Sequence, residues 1–475
     1  MNNSMNSHII RAVTPHEYVR GMRLVHTSDW HLGRSFGAHS LLEEQAKVLD
    51  WLFDFSVAEG AELLVIAGDL HDRAIPPVEA VELLSTTFQR FVDAGVKVVA
   101  IAGNHDSPHR LAANSDLMEA GGVLLRGGYR RAADVARWEF SDGPLALAPI
   151  PYLLPQLLPT DVAAWVDEAA VRAPAPDLDP TPEHTPAFET SGQQLSLLDV
   201  GDPGPASSSR SLDEGADTSA GTHAQGAGAG TGSELRRRTH ERILRAHLDL
   251  TAGRCAQLAP RSLSIAHAFV TGAAPSDSER ELAVGTAGMV SAEGFAPFSY
   301  SALGHLHRPQ SIGETGRVHY SGSPLPYSFS EADVPKQVNL VDMSPTGACS
   351  VDPVEIGVGR RVRTVRGTLD ELLGAPAATA DTNHWTRVEL ISDLPVPDAR
   401  FRLSQRFAHI VEVNRRATPE GLRSQRRKPA PGSTLSDTEL VRDFWMDTTG
   451  SLATAEIYDT LTSALDDLVT AEVSS

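Results

Sequence analysis

The chain has 475 residues, with 41 Lys and Arg against 61 Asp and Glu, which gives a formal net charge of −20 at pH 7. This charge argues against a protein that holds nucleic acid by bulk positive charge alone, although it allows a nucleic-acid enzyme that manages phosphate repulsion with metal ions or a basic partner. The two cysteines exclude a disulfide framework and a thiolate zinc site, and they suit a reducing cytoplasm. No apolar run approaches the roughly 20 residues that cross a membrane.

The chain opens on a polar segment at 1–21 that lacks the apolar core of a signal peptide. Because periodic structure starts abruptly at Met22, we expect Met22 to be the natural start and 1–21 to be a disordered extension. From Met22 onward, strands are predicted at 23–27, 62–67 and 96–102. Helices are predicted at 41–58, 78–94 and 109–120.

Apolar strands that alternate with helices are typical of a parallel sheet covered on both faces. More strands are predicted in the second half, at 138–140, 145–149, 262–269, 300–303, 318–321 and 338–342. We therefore predict an α/β fold, an α/β/β/α sandwich that spans 22–345. Residues 173–233 interrupt it with nine acidic residues against one basic residue. Such a segment buries too little apolar surface to offset its ordering entropy, so we expect a disordered acidic insert within the domain.

A smaller α+β domain is predicted at 355–415, with strands at 362–367, 386–391 and 410–414 and a helix near 398–407. A basic linker at 416–434 and a helical tail at 435–475 follow. The tail carries two apolar clusters at helical spacing, and the first includes Leu440, Phe444 and Trp445. A helix pair this short has little core of its own, so it is expected to dock on the protein's own surface or on a partner.

Aspartate, asparagine and histidine side chains lie at or just after the ends of the predicted strands. They are Asp29, His31, Asp69, Asp72, Asn104, His105, His267, His305 and His307. In an open α/β sheet, the loops beyond the carboxyl ends of the strands form the binding crevice. Carboxylate and amide oxygens together with imidazole nitrogens suit a pair of divalent ions, and Asp69 offers a carboxylate that could bridge them. Each motif alone is common, and a single Asp-x-His more often caps a loop, but the whole series predicts a two-metal site.

Four segments carry a resemblance to a known family: SDWHLG at 28–33, AGDLHD at 67–72, AGNHDS at 102–107 and GHLH at 304–307. They resemble the signature of the calcineurin-like metallophosphoesterases. HTSDWHLG at 26–33, PIPYL at 149–153 and YSGSP at 320–324 look more specifically like the SbcD subunits of bacterial SbcCD DNA exonucleases. The resemblance covers about 22–343 apart from the insert, and the rest more weakly.

Carried over residue by residue, the resemblance implies two metal positions. The first would be held by Asp29, His31, Asp69 and His307, and the second by Asp69, Asn104, His267 and His305. The family implies Mn²⁺. His105 occupies the family's non-ligand catalytic position as a general acid toward the leaving sugar oxygen, and Asp106 would orient it. His71 stands where the family usually has an apolar residue, either as a packed histidine or as an extra phosphate contact.

The resemblance implies a manganese-dependent nuclease with duplex exonuclease and single-strand or hairpin endonuclease activity, which acts with an SbcC-type ATPase in DNA end processing, repair and recombination. It also implies a homodimer within a heterotetramer, with the tail packed on the partner's coiled coil through Leu440, Phe444 and Trp445. Two alternatives stay open. One is a phosphatase or small-molecule phosphodiesterase of the same superfamily, which would need neither the smaller domain nor the tail. The other is a DNA-end scaffold with a vestigial site, although every ligand position is filled.

The acidic insert contains one dense apolar patch, QQLSLL at 193–198. Its residues Gln194, Leu195, Leu197 and Leu198 resemble the short peptide by which bacterial replication and repair enzymes bind the sliding clamp. Disordered segments often use such a patch as a docking motif. The final position is usually aromatic, so Leu198 departs from the pattern, and a chance match is the alternative.

Overall fold

The computed structural model describes residues 21–172, 239–276, 289–374 and 383–418, together with the single positions 279, 442, 445, 454, 457 and 460. Several predicted features lie outside the described residues. They are all but the last residue of the N-terminal extension, the acidic insert with the patch that contains Gln194, Leu195, Leu197 and Leu198, nearly all of the basic linker, and most of the tail, including Leu440 and Phe444. Among the described residues, no helix combines the length and the apolar character that spanning a bilayer requires.

The strands, in chain order, are β1 (Met22–Thr27), β2 (Ser35–Phe36), β3 (His39–Ser40), β4 (Leu63–Ile66), β5 (Lys97–Ile101), β6 (Val123–Arg126), β7 (Ala136–Phe140), β8 (Gly143–Ile150), β9 (Ser262–His267), β10 (Tyr300–Gly304), β11 (Gln310–Ile312), β12 (Val318–Tyr320), β13 (Gln337–Met343), β14 (Cys349–Glu355), β15 (Arg361–Gly367), β16 (His384–Ile391) and β17 (Ile410–Arg416). The helices are α1 (Leu42–Ala58), α2 (Val78–Asp93), α3 (Pro108–Leu111), α4 (Ser115–Ala120), α5 (Thr160–Arg172), α6 (His240–Leu258), α7 (Leu369–Gly374) and α8 (Ala399–Ser404).

Two six-stranded sheets face each other. The first has the order β14-β13-β1-β4-β5-β6 and the second β11-β12-β10-β9-β8-β7. The layer between them is apolar, with Leu24 and Val65 from the first sheet against Leu147 and Ile265 from the second. Helices α1 and α2 cover the outer face of the first sheet, and α5 and α6 cover that of the second. This arrangement confirms the predicted α/β/β/α sandwich.

The first sheet is mixed, whereas the alternation of strands and helices predicted a parallel one. Strands β1, β4, β5 and β6 are parallel, but β13 runs antiparallel to β1, and β14 antiparallel to β13. Strand β14 escaped prediction because it contains Pro353 and many polar residues. A proline is tolerated here because β14 is an edge strand, where a missing N–H donor leaves no partner unpaired.

The helix predicted at 109–120 is instead two short helices, α3 and α4, with a turn at 112–114 between them. Asn114 occupies the position before α4. Asparagine side chains compete for backbone hydrogen bonds and so favour helix ends over helix interiors. Strands β6 and β11 and helices α5, α6 and α7 were not predicted.

The C-terminal unit is a parallel three-stranded sheet, β15-β16-β17, with α7 and α8 on one face around Val388 and Phe407. Its other side packs on the first sheet's outer layer. There the Trp385 ring lies 6.4 Å from Phe36, and Arg360 pairs with Glu44. The three predicted strands and the helix are present, while the domain boundaries stay a prediction.

Buried His26 makes the stability of the fold depend on pH. Its Nδ1 lies 3.0 Å from the Tyr300 hydroxyl and its Nε2 lies 3.2 Å from the Leu303 carbonyl oxygen. Burial lowers the pKa of His26 from 6.5 to about 3. Between these values the unfolded chain binds a proton that the folded chain excludes, so this site lowers the free energy of unfolding by about 1.4 kcal/mol for each pH unit of acidification.

We therefore expect the variant His26→Gln to lose stability less steeply than the wild type when the pH falls from about 6 to about 4. Chemical denaturation at several pH values measures the slope for both proteins. Identical slopes would show that His26 contributes nothing to the acid sensitivity of the fold.

Candidate metal centre

The predicted ligands lie at the carboxyl ends of strands from both sheets. Asp29, Asp69 and Asn104 follow β1, β4 and β5, which are parallel neighbours in the first sheet. His267 ends β9, and His305 follows its parallel neighbour β10 in the second sheet. His31 comes two residues after Asp29, and His307 comes two residues after His305. Since the strand ends of the two sheets meet at one edge of the sandwich, all seven side chains converge there.

One group of side chains surrounds a point between His31 and His307. Their Nε2 atoms are 3.2 Å apart, and His31 Nε2 is 3.6 Å from Asp69 Oδ2. Asp29, His31 and His307 also offer three ligand atoms that lie within 4.8 Å of one another. All of these residues are buried.

A second group surrounds the Asn104 amide. Asn104 Oδ1 is 3.0 Å from His267 Nε2 and 3.0 Å from His305 Nδ1, and His267 Nε2 is 3.3 Å from Asp69 Oδ2. The carboxylate oxygen Asp69 Oδ2 therefore faces both groups. This is the position that a bridging ligand requires.

The donor atoms fit divalent cations. Atoms that bind one ion at about 2.1 Å lie roughly 3 Å apart, which is the spacing seen within both groups. In the first group two buried imidazole nitrogens, His31 Nε2 and His307 Nε2, face each other at 3.2 Å. Buried nitrogens in this state need a proton or a cation. The residues thus suit the two metal positions that the sequence predicted.

Surrounding polar groups fix the rings of these histidines. His267 Nδ1 donates to the Ala67 carbonyl oxygen at 2.8 Å, which turns Nε2 toward the centre. His307 Nδ1 lies 3.5 Å from Glu279 and 3.8 Å from Glu331. Buried Lys336 in turn contacts Glu331 and, at 2.8 Å, Ser323 Oγ. Such outer partners set the tautomer and orientation of metal-binding imidazoles.

The backbone at the centre is held in uncommon conformations. Asp29, His31, Asp69 and His305 have φ values of 54°, 44°, 50° and 100°. Each costs about 1–3 kcal/mol in a residue other than glycine, and such strain concentrates at functional sites. A Cβ atom on Gly68 would lie 2.2 Å from His267 Nδ1, so only glycine lets that ring approach the Asp69 loop.

At the centre, burial lowers the pKa of histidines, whereas attraction between histidines and carboxylates raises the pKa of the histidine and lowers that of the carboxyl. Burial lowers the pKa of His305 to about 3 and that of His31 well below 6.5. Burial also disfavours protonated His267, but the carboxylates of Asp69 and Asp29 outweigh it and raise its pKa to about 9. Although burial opposes ionisation of Asp69, nearby His267 holds the pKa of that carboxyl well below 3.8. The centre therefore combines the charged Asp69 carboxylate with neutral imidazoles at His31 and His305, whereas a cation that binds His267 must displace its proton.

His105 lies beside the first group, with its ring centroid 4.7 Å from that of His31. Its Nδ1 is 2.8 Å from the Asp72 carbonyl oxygen. A carbonyl oxygen only accepts, so Nδ1 carries a proton and Nε2 is the nitrogen that can exchange one with a substrate.

The prediction that Asp106 orients His105 is wrong. Asp106 instead accepts three backbone hydrogen bonds, from Leu70 and Gly103 at 3.0 Å and from His71 at 2.9 Å. It therefore ties the loop after β4 to the loop after β5. The His71 ring lies against the same carboxylate, with Nδ1 3.5 Å from Oδ1, which fits a packed histidine.

Several residues around the centre were not predicted from the sequence, or were predicted without a role. Asp72 belongs to a third group of potential ligands with His31 and His105, and its carboxylate pairs with Arg34 at 3.3 Å. Glu279 and Glu331 lie in segments without a recognisable motif. Only the fold, which brings them behind His307, reveals them.

Comparisons with known proteins cover both parts of the chain. The family described as calcineurin-like phosphoesterase matches residues 22–152, and the family described as Type 5 capsule protein repressor C-terminal domain matches residues 358–449. The SbcD subunit of the SbcCD nuclease from Bacillus subtilis (strain 168) is 29% identical over 382 residues, which cover 78% of this chain and 79% of that protein. The corresponding subunit from Escherichia coli (strain K12) is 26% identical over 383 residues, 78% of each chain.

Among solved structures, a dimetal phosphatase from Danio rerio matches with a TM-score of 0.33 and 13% identity, over 71% of this chain and 97% of that one. At that TM-score, the match adds nothing to the assignment. The sequence matches, in contrast, include the segments that supply Asp29, His31, Asp69, Asn104 and His105.

Proposed function

Because the chain is related over most of its length to SbcD subunits of the SbcCD nuclease and carries a calcineurin-like phosphoesterase domain, we propose that it is the metal-dependent nuclease subunit of a DNA-processing complex. It hydrolyses phosphodiester bonds, as a duplex exonuclease and a single-strand or hairpin endonuclease. The observation that carries this proposal is the pair of donor groups at the strand ends, which share the Asp69 carboxylate.

In the proposed mechanism, Asp29, His31, Asp69 and His307 would hold one ion, and Asp69, Asn104, His267 and His305 would hold the other. The resemblance to the family implies that both would be Mn²⁺, and oxygen and imidazole donors suit divalent cations in general. When bound, the ions neutralise the scissile phosphate and activate the attacking water. His105 donates a proton from Nε2 to the leaving sugar oxygen, while the Asp72 carbonyl oxygen fixes the ring through Nδ1.

The test is degradation of linear duplex DNA by the chain with its SbcC-type ATPase partner, beside hydrolysis of a small chromogenic phosphodiester. We expect both reactions to require manganese and to stop on chelation. Hydrolysis of the small substrate alone would favour the phosphatase or phosphodiesterase alternative. Activity on neither substrate would favour a scaffold with a vestigial site.

We further propose that the ATPase partner binds the tail through Leu440, Phe444 and Trp445, in a heterotetramer built on a homodimer of this chain. Of these three residues the structure describes Trp445, which lies in a helix and is half-buried. Aromatic and aliphatic side chains dominate interface energies. The complex acts in the cytoplasm, which suits two free cysteines.

Truncation after Pro431 is expected to abolish co-purification with the ATPase partner, because it removes these anchors. Metal binding should be unchanged, since every proposed ligand precedes the cut. Pull-down and metal titration of the truncated chain test both statements. Co-purification at the wild-type level would place the interface elsewhere.

The patch in the acidic insert is a second candidate partner site. We propose that Gln194, Leu195, Leu197 and Leu198 bind the sliding clamp, with Gln194 in polar contact and the leucines in an apolar groove. A peptide spanning 191–200 should bind purified clamp with micromolar affinity, and Gln194→Ala combined with Leu197→Ala should abolish that binding. Absence of binding by the unsubstituted peptide would reduce the insert to an acidic linker.

A further inference from the structure

Arg34 lies at the rim of the metal centre, three residues after His31. Its Nη1 donates to Asp72 Oδ1 at 3.3 Å, and the guanidinium carbon stands 4.7 Å from the centre of the Tyr327 ring. The side chain is 21% exposed, so part of the guanidinium reaches solvent. Arg34 is thus a cation held in place yet open to a ligand.

The two residues that hold Arg34 also contact the proposed ligands. Asp72 Oδ1 lies 3.7 Å from His31 Nδ1, and the Asp72 carbonyl oxygen fixes His105. The Tyr327 ring meets the His31 ring edge-on at 5.2 Å, and the His307 ring at 5.3 Å. One carboxylate and one ring therefore separate the guanidinium from the centre.

The position of Arg34 is fixed before any substrate binds. The Tyr327 hydroxyl donates to the Trp30 carbonyl oxygen at 2.6 Å, and this buried tyrosine forms the platform below the guanidinium. Asp72 takes up one of the five guanidinium N–H groups, and the described residues provide no second side-chain acceptor for the others. A planar, preorganised guanidinium with free donors matches the geometry of a phosphate group.

The charge of the whole chain makes such a local cation necessary. With a formal net charge of −20, the chain as a whole repels a polyanion. Metal ions would neutralise the scissile phosphate, but the neighbouring phosphates of the same strand also need cationic partners.

We propose that Arg34 binds the backbone phosphate next to the scissile one, a site that distinguishes a polynucleotide strand from a small phosphodiester. This inference rests on the proposed nuclease function. The contact is independent of sequence, because a phosphate carries no base information.

The test compares Arg34→Gln with wild type in the full complex with the ATPase partner, on single-stranded DNA and on the chromogenic phosphodiester. We expect KM for DNA to rise about tenfold with kcat nearly unchanged, because one charge-assisted contact is lost. The slope of log KM against log salt concentration should fall by about 0.7. Hydrolysis of the chromogenic substrate, which has a single phosphate, should be unchanged.

Two variants serve as controls. Arg34→Lys keeps the charge and should keep the salt slope, whereas Arg254→Gln, on the exposed side of α6, should leave KM for DNA unchanged. Unchanged KM and slope in Arg34→Gln would overturn the proposal. An equal loss on both substrates would also overturn it, because it would place Arg34 on the scissile phosphate or in the fold.

Binding of a labelled oligonucleotide to the same proteins, followed by fluorescence anisotropy, separates this inference from the proposed function. If the wild type binds DNA and Arg34→Gln binds it about tenfold more weakly, this result supports the phosphate site, even when neither protein cleaves DNA. In that case only the proposed nuclease function is contradicted. Equal binding by the two proteins would overturn the phosphate site whatever the cleavage result.

Discussion

Substitution of Asp69 by alanine is expected to reduce DNA cleavage by about a thousandfold or more. Asp69 Oδ2 faces His31 at 3.6 Å and His267 at 3.3 Å, so its loss weakens both metal positions at once. The electrostatic contribution of a metal site amounts to several kcal/mol, and each 1.36 kcal/mol changes a rate about tenfold. Steady-state cleavage of linear duplex DNA, with metal content measured on the same preparation, checks this prediction.

Asp69→Asn is the matched variant, because an amide oxygen can still accept the His105 backbone N–H that Asp69 Oδ1 accepts at 2.9 Å. It should fold like the wild type, as judged by its thermal midpoint, and still lose activity, because a neutral amide is a weaker ligand than a carboxylate. Cleavage at the wild-type rate by either variant would show that the site is misplaced.

His105→Ala is expected to retain the metals and to lower DNA cleavage by about 10²–10⁴-fold, the usual contribution of a general acid. His105 lies beside the ligands but is held through the Asp72 carbonyl oxygen, so its removal deletes a proton donor and no proposed ligand. Calorimetric titration with manganese should give the wild-type stoichiometry.

The choice of substrate separates proton donation from positioning. A chromogenic phosphodiester with a good leaving group needs little protonation of that group. We therefore expect His105→Ala to lose much less activity on this substrate than on DNA. Equal losses on both substrates, or lost metal, would contradict the assignment of His105 as general acid.

The central elements of the fold were predictable because their sequence signals are local. Strand β5 and helix α2 were predicted within one residue at each end, since uninterrupted apolar runs and regular helical spacing need no tertiary information. Strand β14 was missed because it is rich in polar residues and contains Pro353, which is tolerated at the edge of the sheet. The break at 112–114 was missed because the apolar spacing continues through it, although Asn114 favours the end of a helix.

The proposed ligands could be selected from the sequence because each stands at or just after the end of a strand and, apart from His267, in a recognisable motif. The groups that orient them could not. Glu331 lies 24 residues from His307 in sequence, and Arg34 and Asp72 are 38 residues apart, so their pairing exists only once the sheets have formed. The role expected for Asp106 failed for a related reason. Adjacency in sequence suggested that it contacts His105, whereas the turn directs its carboxylate to the backbone of Leu70 and Gly103.

Anomalous diffraction at the manganese absorption edge, from crystals of the chain grown with manganese, tests the two-metal assignment most directly. We expect two peaks in each chain, one between His31 and His307 and one beside Asn104 and His267, with the Asp69 carboxylate in contact with both. A map with no peak at these side chains, or with peaks only elsewhere on the protein, would contradict the assignment.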